Sequence, residues 1–116
     1  MTLDYIDWDI GGVTVINLIG RLTLGQGTHR FREAIDDVMG RGSRDILLNF
    51  DEVFYIDSSG LGELLAARKH IDAAGGRLKL MKLSQLNRNL IFTTRLHLLF
   101  EVFEQEETAV ASFATA

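Results

Sequence analysis

Hydrophobic periodicity switches several times along this chain between a strand-type repeat of two and a helix-type repeat of three to four, which points to an α/β architecture. At the start, Tyr5, Asp7 and Asp9 alternate with Ile6, Trp8 and Ile10, and after Gly11-Gly12 comes the β-branched run VTVINLI. Two such runs joined by two glycines predict an antiparallel hairpin, with Gly20 ending its second strand. From Thr28 to Met39 the residues Phe31, Ala34, Ile35, Val38 and Met39 recur at helical spacing, with Gly40 as the expected residue after the helix end. DILLNF, Asp45 to Phe50, suits a strand buried on both faces, and extended character resumes over Val53 to Ile56 after Asp51 and Glu52.

A second helix is expected over Leu61 to Ala74, with Leu61, Leu64, Leu65, Arg68 and Ile71 on one side and Gly75-Gly76 as its stop. RLKLMKL alternates as a strand with one more polar face, Leu78, Leu80 and Lys82 opposite Lys79 and Met81. Ser84 is placed to cap a third helix through Phe92, and FEVF reads as a short strand or edge segment. Glu104 to Phe113 has acids in its first turn and helical spacing of Ala109, Val110 and Phe113, a terminal helix. The expected order is therefore β-β-α-β-β-α-β-α-β-α: one domain over residues 4–113, with a mixed central sheet, an N-terminal hairpin and about four helices.

Composition narrows the function classes. The absence of cysteine excludes disulfide frameworks, thiol nucleophiles and iron–sulfur clusters, and fits a reducing, cytoplasmic setting. A net charge of −4 argues against binding nucleic acid, which needs a basic face. MTLDYIDWDI has three aspartates and no basic residue, so it is not expected to act as a signal peptide. No apolar run approaches the roughly 18 residues of a membrane span. The longest, Leu90 to Phe103, is broken by Thr93, Thr94, Arg95, His97 and Glu101. His29, His70 and His97 have no metal-ligand spacing, and neither a metal nor a cofactor is expected.

In open α/β sheets, function gathers where a strand's C-terminal end meets a helix N-terminus. Here that junction is Tyr55-Ile56-Asp57-Ser58-Ser59-Gly60-Leu61-Gly62. Ser58 or Ser59 suits the acceptor of the helix's first free amides, Asp57 places a negative charge at its positive end, and Gly60 and Gly62 open space for another backbone or a bulky group. A helix cap without further function fits these residues. So do three functional readings. A nucleophilic serine lacks the G-x-S-x-G elbow and any base that spacing ties to it. An anion cradle lacks the P-loop pattern, and Asp57 would repel phosphate. A phosphoacceptor serine on an exposed turn needs neither, because modification itself changes the charge of a docking surface.

The run IDSSGLGELLAARK resembles the signature of the anti-sigma factor antagonists, the bacterial STAS domains. The likeness continues through VTVINLIGRL, DILLNF, AGGRLKLMKLS and LHLLFEVF, and so covers essentially the whole chain. The resemblance implies a non-enzymatic switch with no cofactor. Such a protein binds an anti-sigma factor that is also a serine kinase, releases the sigma factor for transcription, and is turned off by phosphorylation of the serine after the motif aspartate. A phosphoserine phosphatase reverses this. Carried onto this chain, the phosphorylated residue is Ser58 and the partner-binding set is Asp57, Ser58, Ser59, Gly60, Leu61, Gly62 and Ala66. Many members end a Gly-x-Leu segment in an acid, whereas Gly20-Arg21-Leu22 is followed here by Thr23, so no carboxylate role is carried over. The alternative is a scaffold or subunit of a larger signalling or transporter-associated complex, without regulated phosphorylation. The absence of a fused sensor favours the switch, as a monomer or weak dimer.

Other residues have plainer readings. Gly62, Ala66, Ala67, His70 and Ala73 form a small-residue helix face suited either to a close partner or simply to helix formation. Glu63 and Lys69 are expected on its solvated flanks, Tyr5 and Trp8 in sheet packing, and Arg21, Arg30, Arg32, Arg41 and Arg44 as dispersed surface charges.

Overall fold

The computed structural model describes residues 2–114. Strands β1 (Leu3–Ile10) and β2 (Val13–Leu22) form the expected hairpin, followed by α1 (Gln26–Gly40), β3 (Asp45–Ile56), α2 (Ser58–Ala73), β4 (Arg77–Met81), α3 (Gln85–Thr93), β5 (Val102–Phe103) and α4 (Glu106–Ser112). The five strands lie in sequence order in one mixed sheet: β1 is antiparallel to β2, and every later pairing is parallel.

Two core clusters lie on opposite faces of the sheet. On one face Ile16, Leu18, Ile46, Leu48 and Phe50 pack against Phe31 and Ile35 of α1, Leu64 and Ile71 of α2 and Ile91 of α3. On the other, Val13, Val15, Leu47 and Met81 meet Ala109 and Phe113 at the C-terminal helix, with Trp8 and Ile10 packed beside them. Each fully buried large apolar side chain contributes roughly 1.5–3 kcal/mol.

Several elements differ from their sequence reading. Val53–Ile56 is not a separate strand but the end of β3. Asn17 faces Asn49 while Ile19 faces Glu52, and Gly20 faces Val53 while Arg21 faces Tyr55, so β3 carries one extra residue at each step. The Asp51-Glu52 interruption is thus absorbed as a bulge. Gly20 does not end β2, which runs on to Leu22; a Cβ at Gly20 would stand 1.9 Å from the Thr2 carbonyl oxygen, so glycine is there for close backbone approach. The left-handed residue beyond α1 is Gly42, at φ +99°, while Gly40 is still helical. In α2, Ala67 is buried, whereas Leu65 and Arg68 lie outward of the packed face.

β4 has no polar face, because Lys79 is buried with its neighbours and Lys82 has left the strand at φ +60°. The Lys79 ammonium donates to the Ser112 carbonyl oxygen at 3.1 Å and its hydroxyl at 2.9 Å, pairs with Glu101 at 3.1 Å, and sits 4.6 Å from the Phe113 ring centre. Ser84 caps α3 as expected, accepting from the Asn87 amide at 3.1 Å. The arginines are less dispersed than the sequence suggests. Arg41 pairs with Asp7 at 2.7 Å, Arg30 reaches Asp4, Glu33 and the Tyr5 ring, and Arg44 donates to carbonyl oxygens at the α1 end.

Candidate functional site at the β3–α2 turn

The turn is organised by Asp57, not by its serines. Asp57 leaves β3 in extended conformation and is the N-cap of α2: its Oδ1 accepts from the Gly60 amide at 2.8 Å. Its Oδ2 accepts from the Leu24 amide at 3.0 Å, on the loop between β2 and α1. One carboxylate therefore caps a helix and clasps a neighbouring loop. The Leu24 amide is the largest influence holding this carboxyl below the ordinary aspartate range; partial burial opposes it, and the Gly60 amide adds to the lowering. The clasp is reinforced through the backbone, where the Asp57 amide donates to the Leu22 carbonyl oxygen at 3.3 Å.

With capping taken over by Asp57, Ser58 becomes the first residue of α2, is exposed, and among the described residues its hydroxyl makes no hydrogen bond. Ser59 is half-buried and likewise unengaged through its hydroxyl. Among the described residues no general base is hydrogen-bonded to either hydroxyl, and the Ser58 hydroxyl stands on the surface.

The two glycines separate sharply. A Cβ at Gly60 would stand 2.1 Å from the Leu22 carbonyl oxygen, so the close backbone approach expected there is made within the chain itself. At Gly62 a Cβ would meet nothing within 4 Å. Leu61 is buried in the core. Of the seven residues singled out in sequence, Gly60 and Leu61 thus hold the turn, Asp57 and Ser59 are half-buried, and Ser58, Gly62 and Ala66 present outward.

Spacing by four places Ser58, Gly62, Ala66 and His70 on one exposed stripe of α2, which Ala73 extends and Ala67 does not join. Beside it lies an apolar groove floored by Phe31, Ile35 and Ala67. Glu63 does not sit free on a flank: its carboxylate pairs with Arg32 across the groove, tying α1 to α2. Thr23 orients the loop only through its carbonyl oxygen, which accepts from the Thr28 amide at 2.9 Å; its hydroxyl makes no hydrogen bond among the described residues.

Sequence reasoning missed Leu24. Its amide is fixed by Asp57 while its side chain is 76 % exposed, more than any other large apolar residue described. An isolated leucine in a glycine-flanked loop carries no periodic signal, and only the clasp fixes its backbone to Asp57. Of the histidines, His70 lies on the α2 stripe, whereas His97 is stacked on Phe92 at 4.3 Å.

A family model described as STAS domain matches residues 9–109. Solved structures share the fold. One is a Thermotoga maritima protein provisionally assigned as an anti-sigma factor antagonist (TM-score 0.88, 20 % identity, covering 96 % of this chain and 95 % of that one). Another is an anti-sigma factor antagonist from Mycobacterium paratuberculosis (TM-score 0.84, 18 % identity, 97 % and 95 % covered). The phosphorylated form of the Bacillus cell fate determinant SpoIIAA is also similar (TM-score 0.72, 24 % identity, 95 % and 99 % covered). No curated protein matches the sequence.

Proposed function

The chain belongs to the STAS domain family, and on that premise we propose that it is an anti-sigma factor antagonist switched off by phosphorylation of Ser58. In this reading residues 4–113 form the functional domain. It binds an anti-sigma factor that is also a serine kinase, frees the sigma factor for transcription, and is restored by a phosphoserine phosphatase. It works in the cytoplasm and catalyses nothing itself. The observation that carries the reading is the exposed, unengaged Ser58 hydroxyl at the head of α2, with Asp57 clasped behind it.

The switch acts locally. A phosphate on Ser58 adds about −1.5 to −2 charges at neutral pH. The helix N-terminus favours an anion by roughly 0.3–1 kcal/mol, and like-charge repulsion from Asp57 opposes it. With the two effects nearly offsetting, the domain keeps its fold and the cost falls on a partner that must close over Ser58, Gly62 and Ala66.

One observation favours the scaffold alternative: the fold also matches 18 % of a murine anion transporter of solute carrier family 26, over 90 % of this chain with a TM-score of 0.73 and 20 % identity. Capture from native lysate separates the two readings. Under the switch, wild-type protein retains an ATP-binding anti-sigma factor that Ser58→Glu loses, and phosphopeptide mapping finds the modification on Ser58. Equal capture of the same proteins by both forms, with Ser58 unmodified, favours the scaffold.

A further inference from the structure

A single exposed leucine on a protein surface is ordinary. Leu24 differs in how it is held. Its side chain is 76 % exposed, yet its loop is fixed to α2, to α1 and to β1. The Leu24 amide donates to Asp57 Oδ2 at 3.0 Å. Before it, the Thr23 carbonyl oxygen accepts from the Thr28 amide at 2.9 Å. After it, the Gly25 amide donates to Thr28 Oγ1 at 3.2 Å, and the Gly25 carbonyl oxygen accepts from that hydroxyl at 3.1 Å and from the His29 amide at 3.0 Å. Gln26 ties the loop to β1, its Oε1 accepting from the Leu3 amide at 2.9 Å. Gly25, at φ +101°, supplies the left-handed turn that this path requires.

The fold does not need a leucine at this point. Every one of these bonds at residues 23 to 25 runs through their backbone atoms, and Leu24 belongs to neither core cluster. Turn positions usually take Gly, Asn, Asp or Ser, which hydration favours at an exposed tip. An apolar side chain on a backbone already ordered is suited instead to enter a pocket on a partner, because little loop entropy is lost on docking. Its position indicates which partner. The carboxylate that holds Leu24 is that of Asp57, the residue before Ser58, so a protein that closes over Ser58 meets the loop carrying Leu24.

Resting on the switch reading above, we propose that Leu24 is the apolar anchor by which the anti-sigma factor docks, its side chain entering an apolar pocket of that partner in the same closure that covers Ser58. Burying Leu24 drives water out of the closure. A phosphate on Ser58 then loses hydration, which makes its charge more costly there than on an open surface. The leucine therefore sets both how tightly the partner binds and how strongly the phosphate is read.

The probe is the ATP-binding anti-sigma factor that the wild type retains, purified and titrated by calorimetry into each variant. Leu24→Ala is expected to weaken binding about tenfold or more, and Leu24→Met, of similar volume, to stay within about threefold of the wild type. Neither moves the melting temperature, since the clasp uses only the Leu24 backbone. Leu98→Ala, at a leucine 70 % exposed on the turn after α3, binds as the wild type does. The Ser58→Glu penalty is expected to be smaller in the Leu24→Ala background than in the wild type, because the two side chains share one closure. Wild-type affinity in Leu24→Ala overturns the proposal, and full additivity of the two substitutions overturns the shared closure. The switch reading fails separately. Ser58→Glu binding at wild-type affinity refutes it whatever Leu24→Ala does, whereas a Ser58→Glu loss beside an unaffected Leu24→Ala leaves the switch standing and removes the anchor. A wild type that retains no anti-sigma factor overturns both.

Discussion

Asp57 concentrates more of the local structure than any other residue at the turn. Removing its carboxylate leaves the Gly60 and Leu24 amides without their acceptor, so Asp57→Ala should cost about 0.5–2 kcal/mol, read by urea denaturation. The pH dependence has a definite sign. Because the folded-state carboxyl is held below its ordinary value, its contribution is fully present above the unfolded aspartate range near about pH 4 and is lost as pH falls through the folded value. Wild type should therefore lose its advantage over Asp57→Asn on acidification below about pH 4, and an advantage that persists unchanged to lower pH would contradict the clasp. The glycines give an internal contrast. Gly60→Ala forces a Cβ onto the Leu22 carbonyl and should destabilise by about 1–3 kcal/mol or more. Gly62→Ala meets open space inside a helix and should stabilise by roughly 0.5–1 kcal/mol. The Asp-Ser-Ser-Gly motif was legible in sequence, but its division of labour was not. Asp, Ser and Gly all suit a helix start, and only the position of the Leu22–Leu24 backbone decides which oxygen caps and which glycine is obligatory.

At the scale of elements, strong local periodicity located the hairpin, the helices and the Ser84 cap of α3. The failures share one cause, which is that a neighbouring element overrides the local pattern. Asp51 and Glu52 look like a strand end, but pairing with the parallel β2 carries β3 on through bulges to Ile56. Gly20 looks like a terminator, but the Thr2 backbone passes against it. Lys79 looks like the solvent face of a strand, but α4 supplies a carbonyl, a hydroxyl and an aromatic ring for its ammonium. That lysine holds the terminal helix to the sheet. Lys79→Ala should cost about 1–3 kcal/mol and raise amide exchange at Ala109 and Phe113 ahead of the β2–β3 core. Uniform loosening of the whole sheet would contradict this role.

For the molecule as a whole, the α/β class and a mixed sheet opened by a hairpin followed from the order of periodicities, and the family likeness agrees with them. The exposure of Ile6, Phe54 and Tyr55 on the sheet was invisible in sequence, since they read as ordinary strand residues until the short α4 failed to reach them. In the proposed switch, a phosphate on Ser58 changes how the whole molecule binds its partner without changing the fold. Titrating the purified anti-sigma factor with unphosphorylated and Ser58-phosphorylated protein, alongside thermal melts of both, measures binding and stability together. Phosphorylation should weaken binding by about a hundredfold or more while the melting temperature stays within about 4 °C. Equal affinity for the two forms, or lost binding accompanied by a large fall in melting temperature, would contradict it.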